Sequence, residues 1–101
     1  MHAKKRIELI IEKMAYKRAC RVLEASDLTG YTVLPAMAGY GNSKRWSRDT
    51  DISSSNDMVV IISIGDADKV DAVIEDISSL LGAHIGVVSV SDVDVIRSDR
   101  F

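Results

Sequence analysis

The alternation of apolar and polar residues is clearest near the start of the chain. Residues 4–12 read KKRIELIIE, and three of their apolar side chains fall on one face of an extended strand: Ile7, Leu9 and Ile11. Ile10 falls on the opposite face. This strand is therefore predicted to be central in a sheet and covered on both sides.

Three further segments have the composition of strands. Residues 58–64, MVVIISI, form an almost continuous β-branched run, which favours burial on both faces. Residues 31–37 predict a strand in which Pro35 marks an edge, a bulge or the strand's end. Residues 84–90 predict a fourth strand, and residues 94–97 suggest a short fifth one before the polar tail.

Two segments follow the helical period instead. Residues 14–26 place apolar side chains at helical spacing among basic residues, which predicts an amphipathic helix of about three turns. Asp66 suits the N-cap of a second helix, and Gly82 suits the position after its last turn. The apolar positions of this second helix follow the i, i+3, i+4, i+7 pattern: Val70, Val73, Ile74, Ile77, Leu80 and Leu81.

The element order β-α-β-β-α-β predicts an α+β fold, the ferredoxin-like sandwich in which two helices cover one sheet. A chain of 101 residues is long enough for a single domain, residues 1–101. The two middle strands are joined by the long loop of residues 39–56, GYGNSKRWSRDTDISSSN. Because a hairpin needs only a few connecting residues, the fold does not require this length, and the loop is the first candidate for function.

Charge and cysteine content narrow the function classes. A net charge of −2 gives no reason to expect a nucleic-acid-binding protein. The single cysteine, Cys20, excludes an internal disulfide, and the Cys and His spacing does not match a metal site. No apolar run is long enough to span a bilayer, and the start of the chain does not resemble a signal peptide. The sequence therefore predicts a cytoplasmic protein without direct membrane insertion.

The loop carries the most suggestive chemistry. Gly39 and Gly41 would let a ligand approach backbone N–H groups closely. Lys44, Arg45 and Arg48 would supply positive charge and hydrogen-bond donors to a phosphate or another anion. On the pattern alone, a solvated basic loop explains these residues equally well.

The remaining candidate residues do not form a catalytic set. Trp46 could stack on a base, anchor a partner protein or pack on the domain's own surface. Cys20 is expected to be a buried, inert thiol, and His84 a structural histidine without a second ligand or base beside it. Because no nucleophile–base pair, metal cluster or carboxylate pair emerges, a binding protein is favoured over an enzyme.

Several short motifs, in this order and spacing, resemble the PII signalling proteins. The opening KRIELIIEKMAYKRACRVLEASDLTGYTV is similar to the family's strand–helix–strand entry, and the G-x-G of the loop falls where the family's T-loop begins. IGDADKVDAVIEDI is similar to its third-strand exit and second helix, and GVVSVSDVDVIR to its last strand and following basic segment. LLGAHIGVV is shorter than the B-loop of nitrogen-sensing members, and Val87 stands where they have a lysine. The chain thus resembles more closely the PII-like branch linked to bicarbonate uptake and carboxysomes.

This resemblance implies a homotrimer that binds an adenine nucleotide in the clefts between subunits. The nucleotide would be ADP, AMP, ATP or cyclic AMP, with bicarbonate as a second anion bound by Lys44, Arg45 and Arg48. The resemblance places nucleotide-binding roles on Gly30, Thr32, Gly39, Tyr40, Gly41, Gly86, Arg97 and Arg100.

The leading hypothesis is a non-enzymatic regulatory sensor. Ligand binding would order loop 39–56, and the loop, including Trp46, would then contact a partner such as a bicarbonate transporter. One alternative is a nucleic-acid-binding module, because RNA recognition uses the same architecture, although the strands lack a stacking pair of aromatic residues. Another is a small phosphate-transferring or hydrolysing enzyme, for which the sequence offers no catalytic residues.

Overall fold

The computed structural model describes residues 1–41, 44–47, 57–82 and 84–97. The elements in chain order are β1 (His2–Glu12), α1 (Lys13–Glu24), β2 (Thr32–Pro35), β3 (Ala38–Gly41), β4 (Lys44–Ser47), β5 (Met58–Gly65), α2 (Ala67–Leu81) and β6 (Gly86–Val95).

Four of these strands form one antiparallel sheet in the order β2-β5-β1-β6. β1 lies inside the sheet and pairs antiparallel with both β5 and β6. One row across the sheet, for example, runs from Thr32 through Ile62 and Glu8 to Ser89. This arrangement, with two helices and an antiparallel sheet, confirms the predicted α+β ferredoxin-like fold and its long connection between β2 and β5.

The core lies between the sheet and the two helices. Ile7, Leu9 and Ile11 of β1 are at most 2% exposed, as their alternation predicted. They pack against buried side chains of the helices, including Ala15 of α1 and Val73 of α2. Among the described residues, no helix is both long enough and apolar enough to cross a membrane.

The helix ends differ from the predictions in detail. Asp66 occupies the N-cap position of α2, but its side chain makes no capping hydrogen bond. Its carboxylate accepts a hydrogen bond from Lys4 instead, and this contact, followed by the nearby charge of Lys4 and Lys69, lowers the pKa of Asp66 below its ordinary value. Gly82 follows α2 in a right-handed conformation, with φ of −58°, so the helix end does not use the left-handed backbone that glycine permits.

One prediction about strands is wrong. The suggested fifth strand at residues 94–97 does not exist as a separate element, because β6 continues without interruption from Gly86 to Val95. The long connection contains a feature that the sequence did not predict, because β3 and β4 pair at its start to form a two-stranded antiparallel hairpin. Only two residues separate these strands, which is the length of a tight hairpin connection.

Candidate functional site

The long loop and the turn before β6 lie at the same end of the sheet, here called the loop end. A row across this end runs from Pro35 through Val59 and Ile11 to Gly86. The loop leaves the sheet after β2 and returns before β5. The fold therefore brings predicted loop residues and the predicted Gly86 region to one side of the molecule.

Trp46 packs on the hairpin to which it belongs. It lies opposite Gly39 in the register of β3 and β4, and its side chain is half-buried. A Cβ atom at residue 39 would lie only 2.6 Å from the Cζ2 atom of the indole, so the ring requires a glycine there. Of the three readings of Trp46, packing on the domain's own surface is the contact observed, and its role in partner binding stays a prediction.

The opposite face of the hairpin carries Tyr40 and Arg45. These two residues are paired in register, and Tyr40 is 71% exposed. Because successive residues of a strand point to opposite faces, Arg45 and Trp46 cannot act from the same side of the hairpin. An exposed aromatic ring beside an exposed guanidinium can hold a planar group or an anion.

Of the other predicted anion-binding residues, Lys44 lies on the hairpin. Lys44 begins β4 and pairs in register with Gly41. Arg48 and Arg100 lie outside the described residues. Within the described part of the chain, no group of three or more His, Cys, Asp or Glu side chains could hold a metal ion.

Gly86 marks a point of close backbone approach at the loop end. A Cβ atom here would lie 2.6 Å from the carbonyl oxygen of Ile10 and 2.7 Å from a methyl group of Leu81. The first residue of β6 is thus wedged between β1 and the end of α2. A glycine is needed here for packing, whether or not a ligand binds nearby.

A buried carboxylate holds the turn that precedes Gly86. Oε1 of Glu12 lies 2.8 Å from Nδ1 of His84 and accepts a longer hydrogen bond, 3.3 Å, from the backbone N–H of Ile85. Nε2 of His84 lies 3.3 Å from Nη1 of Arg18. These contacts agree with the expected structural role of His84. Sequence reasoning missed Glu12 and Arg18, because contacts across 72 and 66 residues leave no local pattern.

Gly30 and Thr32 lie at the opposite edge of the sheet from β6. The carbonyl oxygen of Gly30 accepts a hydrogen bond of 2.6 Å from Ser63, which fixes the chain just before the edge strand β2. β5 and β1 lie between β2 and β6, so roughly 14 Å separates the two edges. Arg97 follows the far end of β6, roughly 30 Å along the strand from Gly86.

One chain therefore does not bring the predicted nucleotide-binding residues together. Two cavities lie elsewhere in the described chain: about 320 Å³ between the ends of α1 and α2, and about 460 Å³ between α1 and β2. Neither is lined by the loop hairpin or by Gly86.

Tyr31 joins the edge strand to helix α1. Its hydroxyl donates a hydrogen bond of 2.5 Å to the carboxylate of Glu24. This bond, and next the contact with the thiol of Cys20, raises the pKa of Tyr31 above its ordinary value. Cys20 is 7% exposed, as expected of a buried thiol.

Solved structures of PII-like proteins are similar to this chain over almost its full length. CPII, a nitrogen regulatory PII-like protein from Thiomonas intermedia, was solved bound to ADP, AMP and bicarbonate. It is 25% identical, with a TM-score of 0.86 over 99% of this chain and 94% of that one. The same protein bound to ADP, AMP and acetate matches with a TM-score of 0.77 over 99% and 95% of the two chains, again at 25% identity. A PII-like signalling protein from Thermus thermophilus is 17% identical, with a TM-score of 0.81 over 99% and 96% of the two chains.

The family comparison agrees with these structures. No curated protein sequence gives a significant match. The family described as Nitrogen regulatory protein P-II matches residues 4–100 of the 101 residues. The matched region includes both helices, nearly all of the four-stranded sheet and the whole long loop. This chain belongs to the P-II family of nitrogen regulatory proteins.

Proposed function

We propose that this chain is a non-enzymatic regulator of the PII-like branch associated with bicarbonate transporters and carboxysomes. It binds an adenine nucleotide, with bicarbonate as a second ligand, between the subunits of a cytoplasmic homotrimer built from one domain, residues 1–101. Loop 39–56 passes the ligand state to a partner such as a bicarbonate transporter. The observation that carries this proposal is the similarity to CPII bound to ADP, AMP and bicarbonate, at 25% identity over 99% of this chain.

The uncovered face of the sheet supports a trimer. Both helices pack on one face, whereas the other face carries the partly buried or exposed apolar side chains of Ile10, Leu34, Val60, Ile62, Ile64 and Val87, together with the polar side chains of Arg6, Glu8 and Thr32. An uncovered sheet face with this much apolar surface favours a second layer. Since this chain provides only one layer of helices, further copies of the sheet are the natural cover for the other face.

The separation of the candidate residues supports a site between subunits. Gly30 and Thr32 lie near one edge of the sheet, whereas Gly86 and Arg97 lie at the opposite edge. In a closed ring of copies, the β2 edge of one subunit can face the β6 edge of the next. Such a cleft would bring Gly30 and Thr32 of one subunit to the β6 edge of the next, where Gly86 begins the strand and Arg97 follows its far end.

The geometry of the hairpin supports the proposal that the loop binds an anion. Arg45 is exposed on the face that it shares with Tyr40, and a guanidinium can donate two hydrogen bonds to one carboxylate, phosphate or bicarbonate. In this proposal Lys44 and Arg48 add charge, and Arg100 joins Arg97 at the nucleotide. Trp46, fixed on the other face of the hairpin, senses the ordering of the loop and contacts the partner.

Calorimetric titration tests the proposal directly. ADP, AMP, ATP and cyclic AMP are titrated into the protein with and without bicarbonate, while sedimentation measures the number of subunits. We expect binding below millimolar concentration and a trimer; absence of binding by all four nucleotides at millimolar concentration contradicts the proposal. Arg45→Ala should weaken nucleotide or bicarbonate binding at least several-fold, whereas Lys69→Ala, far from the loop on α2, should not.

The second candidate function is nucleic-acid binding, and the basic surface of helix α1 is the observation in its favour. Helix α1 exposes four basic side chains: Lys13, Lys17, Arg18 and Arg21. Against this candidate, the four core strands contain no Phe, Tyr or Trp on which a base could stack. RNA binding that weakens steeply with salt and is lost with Lys17→Ala and Arg21→Ala would favour this alternative.

A further inference from the structure

We propose that Glu12 is a positioning residue that fixes the turn at residues 84–86 and couples it to the return of the long loop at Asp57. This inference rests on the proposed function, because it concerns the loop end where Gly86 and the loop root meet. It assigns a role to a carboxylate that the nucleotide-binding scheme does not use.

Glu12 holds the turn through both its side chain and its backbone. Oε1 accepts hydrogen bonds from Nδ1 of His84 at 2.8 Å and from the backbone N–H of Ile85 at 3.3 Å. The backbone N–H of Glu12 also donates to the carbonyl oxygen of Ile85 at 3.1 Å. The side chains of Glu12 and His84 are only 12% and 13% exposed, so water cannot readily replace these partners. Removing the carboxylate would leave the largely buried Nδ1–H of His84 without its acceptor, which is costly.

The same contacts indicate which ring nitrogen of neutral His84 carries the proton. The guanidinium of Arg18 can only donate, and it lies 3.3 Å from Nε2 of the ring. Nε2 is therefore the acceptor, and the proton of the neutral imidazole is on Nδ1, where it is donated to Glu12. Among the described residues, the charged groups in contact with the ring are Glu12 from β1 and Arg18 from α1.

Glu12 also stands next to the loop's return. The backbone N–H of its neighbour Lys13 donates to the carbonyl oxygen of Asp57 at 3.0 Å, and Glu12 pairs in register with Met58. Asp57 is 7% exposed and comes directly before β5. Two consecutive residues of β1 and α1 thus contact both the turn at 84–86 and the end of the loop. A ligand that moves one of these segments must disturb the contacts of the other.

Three variants test this role: Glu12→Ala, Glu12→Gln and the control Glu75→Gln on the exposed side of α2. The first readout is nitrogen NMR of the imidazole, which is simple to assign because the chain has two histidines, His2 and His84. The wild type and the control should show the Nδ1–H form of His84, and Glu12→Ala should lose that preference. Calorimetry then measures ADP affinity, and the emission of the single tryptophan, Trp46, reports the hairpin.

Glu12→Ala should weaken ADP binding about tenfold or more. It should also reduce the change in Trp46 emission at saturating ADP. Glu12→Gln keeps an acceptor oxygen and should recover part of both losses, which a general loss of folding would not explain. The proposal is wrong if Glu12→Ala retains the Nδ1–H form, or if it binds ADP with the emission change and affinity of Glu75→Gln. If the wild type binds no adenine nucleotide, the proposed function fails and the coupling to ADP fails with it. In that case the NMR readout alone decides whether Glu12 holds the turn.

Discussion

The two faces of the central sheet differ in both composition and cover: β1 presents Ile7, Leu9 and Ile11 to the helices, whereas its other face mixes Ile10 with Arg6 and Glu8. In β5 buried and partly buried residues alternate along all eight positions, although nearly all of them are apolar. Leu9 of β1 is 1% exposed beneath the helices, whereas its neighbour Ile10 lies on the face that no helix covers. One face stabilises the single chain, and the other remains available for association. Apolar character alone therefore does not tell whether a strand residue packs against the helices of its own chain or lies on the uncovered face.

The largest expected effect comes from the helix-covered face. Leu9→Ala should destabilise the folded chain by about 2–5 kcal/mol, because it removes buried methyl groups and leaves a cavity among residues that cannot fully close it. Urea unfolding followed by circular dichroism measures this loss. The matched variant is Ile10→Ala, one residue along the same strand but on the open face.

The losses of unfolding free energy in the two variants should differ clearly when the protein is diluted until its subunits dissociate. There, Ile10→Ala should cost much less than Leu9→Ala, because its side chain is only partly buried in the single chain. Equal losses under these conditions would mean that the open face is covered by the chain itself, and the distinction between the faces would be lost.

The second prediction tests whether subunits associate through the open face. Ile62 lies near the middle of that face, in register with Glu8 and Thr32. Ile62→Asp should weaken association of subunits at least tenfold, since a carboxylate in register with Glu8 would lose water at the contact and be repelled by its neighbour. Sedimentation velocity over a range of protein concentrations measures this effect. A trimer as stable as that of the wild type would show that copies associate through some other surface.

The sequence predicts the sheet well because its signals are local. Alternation in residues 4–12 and the β-branched run at 58–64 identify the strands and the buried face of β1. The pairing partner of each strand follows from the ferredoxin-like order, which allows few alternatives. The layer that covers the open face cannot be read from alternation, because alternation assigns a side chain to a face but does not tell which chain packs on that face.

The third prediction concerns Gly86, which begins β6 at the loop end of the sheet. Gly86→Ala should cost about 1–3 kcal/mol, because the added methyl group would overlap the carbonyl oxygen of Ile10 and the side chain of Leu81. The control is Gly41→Ala, since a Cβ there would meet no atom within 4 Å. Thermal unfolding of both variants without ligand measures the difference in their stability. Equal stability of the two variants would contradict the close approach at Gly86.

The loop end is also where sequence reasoning was least complete. The G-x-G at residues 39–41 suggests room for a ligand, yet Gly39 is required by the ring of Trp46 across the hairpin. A glycine and an aromatic residue seven positions apart do not predict this pairing unless the hairpin is already known. The contact of Glu12 with His84 is equally hidden, because it joins residues 72 positions apart.

The smallest expected effect tests a polar contact at the margin of the helix-covered face. The hydrogen bond to Glu24 raises the pKa of Tyr31, so the folded state holds this proton more tightly than the unfolded chain does. The resulting stabilisation is fully present below the ordinary tyrosine pKa of about 10 and is lost as the pH rises above it. Tyr31→Phe should therefore lower the unfolding midpoint slightly at neutral pH, and its deficit should shrink towards pH ~11. Tyr40→Phe, with an exposed side chain on the hairpin, is the control and should show no such pH-dependent difference. If the deficit of Tyr31→Phe stays constant with pH, the proton shared with Glu24 does not contribute to stability, and only apolar packing joins β2 to α1.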